Sequence, residues 1–205
     1  EGVVYVLGSD GELWLSHDDG AHWEMTTLEN GDATPHLFSI AFVGQAGLIS
    51  AEHGSIFMRS KNDDPWKPLA IAYNGSFFGV IPFVDQFLIF GMSGRIFLVS
   101  PDGKSQRSID TRTTQFLLDA AVIPEKNQAV VVGRGGAVVI LSMDGQVLKS
   151  YHRPDKADIT AIVARRNDIY LATMRGGIEH LKSSDFAQPM GELQPATLPP
   201  AAISK

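Results

Sequence analysis

The chain has 205 residues, 44% hydrophobic and 20% charged, a composition that excludes extended disorder and is enough for one substantial core. Its formal charge of −6 at pH 7 argues against a general nucleic-acid binder, because phosphate binding draws on a basic face. With no cysteine it has neither a disulfide nor a thiolate metal site.

Residues 3–7 and 12–16 read as a hairpin through Ser9-Asp10-Gly11, followed by a strand over 22–27. The first residue is Glu1 and the chain opens inside a strand, so a mature or trimmed polypeptide is expected, with any signal peptide absent. The second and third of these strands, with the turn between them, are carried by G-E-L-W-L-S-H-D-D-G-A-H-W, from Gly11 to Trp23. It contains S-x-D-x-G-x-x-W, with Ser16, Asp18, Gly20 and Trp23 in the fixed places. Ser and Asp side chains bond nearby backbone amides, Gly permits positive φ, and Trp covers the hairpin from the next strand.

Later segments repeat this layout. Strands are expected at 37–43, 47–51 and 55–60, with a degraded turn that keeps Trp66 but holds Arg59, Lys61 and Asp63 in the serine, aspartate and glycine places. A third set lies near 77–82, 87–91, 95–100 and 105–110, and a fourth at 116–123, 128–133, 137–142 and 146–151. Their third and fourth strands are joined by the shortened turns Ser100-Pro101-Asp102-Gly103 and Ser142-Met143-Asp144-Gly145. A fifth set covers 158–163, 168–173 and 178–183. Beyond it, Pro189, Pro195, Pro199 and Pro200 permit only edge strand or linker in the segment 189–205. The apolar stretch Phe77 to Met92 is broken by Pro82, Asp85 and Gln86, and reads as two buried strands instead of a membrane span.

The repeat is measured by Gly11, Gly54, Gly94, Gly136 and Gly177, spaced 43, 40, 42 and 41 residues apart. Three positions before them stand Gly8, Ala51, Gly91, Gly133 and, in the fifth copy, Met174. A period of about 42 with several short strands predicts an all-β fold, a β-propeller of four-stranded antiparallel blades, about five of them visible. The approximate repeats are 1–30, 36–72, 76–111, 115–153 and 157–198, within a single domain over 1–205. Blade one then begins at its second strand, and another segment must supply its first. A five-bladed ring and a part of a larger propeller both fit.

The Gly11–Trp23 pattern resembles the Asp-box, or bacterial neuraminidase repeat. Within that group, V-G-R-G-G-A-V-V-I-L-S-M-D-G, A-E-H-G-S-I-F-M-R-S and G-M-S-G-R-I-F-L-V-S look like the photosystem II stability/assembly factor family and its relatives in non-photosynthetic bacteria. The resemblance implies a seven-bladed, non-enzymatic scaffold outside the cytoplasm, periplasmic or lumenal. This chain is about two blades shorter and has one intact box.

A sialidase would need three arginines gripping a carboxylate, a Tyr–Glu pair and an acid, with R-I-P near the first arginine. The only I-P pairs, Ile81-Pro82 and Ile123-Pro124, lack it. The alternative of a carbohydrate-binding or sialidase-like propeller therefore ranks second, and no catalytic residues are assigned. Gly133 to Gly136, G-R-G-G, lies between strands and reads as a hairpin turn and not a phosphate loop. The six histidines show no metal spacing, so neither a metal nor a cofactor is expected. Asn74-Gly75-Ser76 forms a glycosylation sequon.

Turns between second and third strands and the loops between blades emerge on one face of a propeller. There they present Glu52, His53, Arg95, Arg134 and Arg175 from the turns, and His36, Tyr73, Arg112 and Arg153 from the loops. Arginines gathered on one face of an acidic chain suit an anionic protein or ligand, and they equally serve to keep exposed turns solvated. The partner-binding candidates are His53, Arg95, Arg112, Arg134, Arg153 and Arg175. The expected partner is a protein of a membrane or envelope complex, met by a monomer.

Overall fold

The computed structural model describes residues 2–184, so the proline-bearing segment 189–205 lies outside the described residues. The strands form five antiparallel sheets. The first is β1 (Val4–Leu7), β2 (Glu12–Ser16) and β3 (Glu24–Thr27). The second is β4 (Leu37–Val43), β5 (Ala46–Ala51), β6 (Ile56–Arg59) and β7 (Lys67–Pro68). The third is β8 (Phe77–Phe83), β9 (Gln86–Gly91), β10 (Ile96–Val99) and β11 (Gln106–Ile109). The fourth is β12 (Leu117–Ile123), β13 (Gln128–Gly133), β14 (Ala137–Ser142) and β15 (Val147–His152). The fifth is β16 (Ile159–Arg165), β17 (Asp168–Thr173) and β18 (Gly177–Lys182). Strands adjacent in sequence are adjacent in every sheet, as in a propeller blade.

Two observations make the arrangement radial. The leading strands of neighbouring sheets lie side by side, β4 against β8, β8 against β12 and β12 against β16. An apolar core fills each gap between successive sheets. Leu13 packs with Ile49 and Phe57, then Leu48 with Phe77 and Phe87. Leu88 packs with Val131 and Leu117, and Val130 with Ile162 and Leu171. Each fully buried Phe, Leu or Ile in these gaps contributes about 1.5–3 kcal/mol relative to exposure. A polar tie joins two leading strands as well, because the Asp119 carboxylate accepts the Ile162 amide of the next sheet at 2.8 Å. Burial pushes that carboxyl up, and the Ile162 and Ala120 amides oppose the shift.

The first sheet begins, as expected, at the second strand of the repeat. Gly8 donates to the Glu12 carbonyl across a three-residue turn, as Ala51 does to Ser55 and Gly91 to Arg95. The outward face of this sheet is open: Val6 is 47% exposed, whereas its counterparts Ile49 and Ile89 are fully buried. The fifth sheet shows the same at its far face, with Ile178 74% exposed against Val138 at 0%.

Strand pairing corrects the repeat register in one place. Thr173 pairs with Gly177 across a three-residue turn, as Ala51 faces Ser55 across residues 52–54. The fifth-copy glycine is therefore Gly176, and the small-residue place holds Thr173, not Met174. Two adjacent glycines made the sequence ambiguous here, and the backbone of this turn also differs. Its positive φ falls on Gly177, whereas in the other four turns the middle and last residues share it.

Candidate binding face

The face in question is built from three-residue turns and the inter-blade loops locked against them. In the third blade the turn Met92-Ser93-Gly94 has positive φ at Ser93 and Gly94. Gly94 is required twice over, by its φ of +68° and because a Cβ there would run into the Thr113 carbonyl oxygen. The Met92 amide donates to the Ser76 carbonyl at 2.9 Å, and the same bond recurs from Arg134 to Phe116 and from Met174 to Asp158. These contacts place turn and loop on one surface, as the repeat pattern requires.

The predicted residues separate into groups on that surface. Arg95, the first residue after its turn, and Arg112, in the following loop, line a cavity of about 220 Å³ with Asp110 and Thr111. Arg95 stands over the Tyr73 ring at 5.8 Å, and Arg134 over Phe116 at 5.1 Å. Both guanidinium groups are thus held by π faces and not by carboxylates. Among the described residues Arg95, Arg112 and Arg134 form no ion pair. Arg175 donates weakly to the Asp155 carbonyl at 3.4 Å. His53 sits at positive φ in the second-blade turn, its Nδ1 3.7 Å from Glu52.

Arg153 is different. Its guanidinium bonds Glu179 at 2.7 and 3.1 Å and Asp155 at 2.9 and 3.2 Å, and its side chain is 10% exposed. Burial works against the Asp155 charge, yet the Arg153 guanidinium and the Ala157 amide hold its carboxyl below the usual range. Arg153 therefore clamps blade four to blade five, with its charge spent on two carboxylates. Of the six predicted residues, Arg95, Arg112, Arg134 and Arg175 present cations to solvent. Among the described residues no group of three or more His, Asp or Glu is placed to hold a metal, and no helix is long and apolar enough to cross a membrane.

No protein-family model matches the sequence, and no curated protein matches it. Solved structures do match. YCF48 bound to a D1 peptide superposes with a TM-score of 0.67 at 15% identity, over 86% of this chain and 60% of that one. YCF48 from Cyanidioschyzon merolae gives 0.67 at 15%, over 87% and 62%. The WD40 propeller domain of Doa1 gives 0.67 at 15%, over 90% and 62%. The shared feature is the fold. The chain spans about three-fifths of the length of these structures.

The Ser16–Trp23 turn lies at the opposite end of the strands. Ser16 Oγ donates to Asp18 Oδ1 at 2.9 Å and accepts the Gly20 amide at 2.8 Å, while Asp18 accepts the His22 amide at 2.8 Å. The His22 amide, the His22 ring and the Ser16 hydroxyl together bring the Asp18 carboxyl down to about 2. Ser100 with Asp102, and Ser142 with Asp144, reproduce the serine–aspartate bond in the shortened turns. Trp23 donates to the Gly20 carbonyl at 3.0 Å but remains 39% exposed, so it covers the turn without entering a core.

Sequence reasoning missed what replaces this turn in blade two. Arg59, in the serine place, is 8% exposed and donates to the Tyr5 hydroxyl at 2.8 Å and the Asn62 carbonyl at 2.7 Å. Its guanidinium carbon lies 5.5, 5.3 and 4.9 Å from the Tyr5, Phe42 and Trp66 rings. The degraded box is an arginine in an aromatic cage that joins blades one and two. Only the persistence of Trp66 hinted at it.

Proposed function

We propose that this chain is a non-catalytic, protein-binding propeller whose arginine-bearing face takes an anionic segment of a partner protein. The observation that supports this best is the set of exposed guanidinium groups of Arg95, Arg112 and Arg134, seated on aromatic rings or beside a cavity and forming no ion pair among the described residues. Such groups retain the capacity to bind carboxylates in a fork geometry, and loops on a rigid scaffold are where binding residues concentrate. The structural likeness to YCF48 bound to a D1 peptide adds to the case, as do the box-like serine–aspartate turns and the sequence resemblance to photosystem II stability/assembly factors. On that resemblance the role is assembly or maturation of a membrane or envelope complex, outside the cytoplasm; the acting unit is a single-domain monomer.

The test is a double charge reversal, Arg134→Glu with Arg175→Glu. Both side chains are exposed, so the circular dichroism spectrum is expected to stay unchanged while pull-down of the partner from envelope extracts is lost. Undiminished pull-down would reduce those residues to solvated turns. Activity on a fluorogenic sialoside would refute the non-catalytic part of the proposal.

A further inference from the structure

The same face carries an apolar feature that packing does not explain. In blades two to five the pairing of the leading strand with its neighbour slips after the first residue, between Leu37 and Ser39, Phe77 and Gly79, Leu117 and Asp119, and Ile159 and Ala161. The unpaired residue of each bulge is Phe38, Phe78, Leu118 or Thr160. Bulges re-aim side chains out of the alternating pattern. Phe38 is 42% exposed and Phe78 half-buried, although their immediate neighbours Leu37 and Phe77 are core residues. The two rings meet edge to face at 5.7 Å, and Phe78 meets Phe116, also half-buried, at 5.7 Å. Arg134 then caps Phe116 at 5.1 Å.

The result is a continuous strip of three phenylalanine rings beginning at the entrance of the leading strands and ending under an unpaired guanidinium. Two steps of 5.7 Å match roughly three to four residues of extended chain. We infer that the Phe38–Phe78–Phe116 strip and Arg134 form a docking groove for an extended peptide in which an apolar side chain stands beside a carboxylate. The inference rests on the protein-binding function proposed above and specifies its ligand. Charge selects the carboxylate: among the described residues the ionic group seated on the rings is the Arg134 cation, and it lies at one end, which fixes polarity. The rings select the apolar neighbour, since an anchor on a rigid aromatic surface removes water at little entropic cost.

Two fluorescein-labelled hexapeptides test this by fluorescence anisotropy at fixed ionic strength. One carries Leu-Phe between two aspartates, and the other carries Ser-Ser in the same place. The Leu-Phe peptide is expected to bind the native chain at least tenfold more tightly. Phe38→Ser, at an exposed position, and Phe78→Ser, with folding checked by circular dichroism, should each erase most of that ratio. Arg134→Glu should weaken both peptides. Equal binding of the two peptides, or a ratio unmoved by Phe38→Ser, would overturn the groove and leave the arginine face standing. Failure of both peptides to bind would overturn both proposals.

Discussion

Removing the Arg59 guanidinium is the sharpest test of how blades one and two are joined. The side chain is 8% exposed, bonds the Tyr5 hydroxyl and the Asn62 carbonyl, and touches three aromatic rings. Hydrogen bonds from charged donors contribute about 1.5–3 kcal/mol each, and a desolvated cation–π contact about 2 kcal/mol. Against these stands the cost of desolvating a cation that forms no ion pair among the described residues, several kcal/mol, which Arg59→Ala would relieve. The balance predicts a net loss of about 2–4 kcal/mol for Arg59→Ala. For a chain of this size each kcal/mol lowers Tm by about 2–4 °C. Tyr5→Phe strands one N–H group and should cost about 1–2 kcal/mol. Urea unfolding of the two single variants and the double variant gives the coupling energy, expected at about 1 kcal/mol or more. A loss under about 1 kcal/mol for Arg59→Ala, or no coupling with Tyr5→Phe, would refute the cage as an inter-blade tie.

Three further outcomes follow from the turns. Trp23→Ala should cost only about 1–2 kcal/mol in urea unfolding, below the about 3–5 kcal/mol of a buried ring, because Trp23 is 39% exposed. The Asp18 carboxyl, followed by NMR, should titrate at about 2, and Ser16→Ala should move its midpoint upward. Its folded pKa lies below the ordinary aspartate value of 3.8, so its contribution to stability is present above about pH 4 and is lost as pH falls towards 2. Gly94→Ala should lower Tm more than Gly31→Ala: both have positive φ, but only at Gly94 would the Cβ run into backbone.

Most of the fold was legible because its signals are local. The strands, the three-residue turns and the serine–aspartate bonds are each set within one hairpin, and the near-constant period repeats them. The radial order follows from inner strands such as Ala46–Ala51, Gln86–Gly91 and Gln128–Gly133, apolar in a near-continuous run and buried on both faces. What was not legible depends on residues far apart in the chain. The Arg59 cage gathers Tyr5, Phe42 and Trp66 from three separate stretches. The ion pairs of Arg153 reach Glu179, so a residue grouped with the exposed arginines proves to be a clamp. The Phe38 and Phe78 rings leave the alternating pattern through bulges that no local motif announces. Trp23 was expected as a cover over the hairpin, and how much of it stays wet depends on the surrounding surface.

The claim that one face of this propeller binds an anionic protein segment is tested most directly by mapping. Backbone chemical-shift changes on titration with the acidic Leu-Phe peptide should cluster at Arg95, Arg112, Arg134 and the Phe38–Phe78 strip. They should diminish as salt is raised. Changes confined to the Ser16–Trp23 end of the strands, or none at saturating peptide, would contradict it.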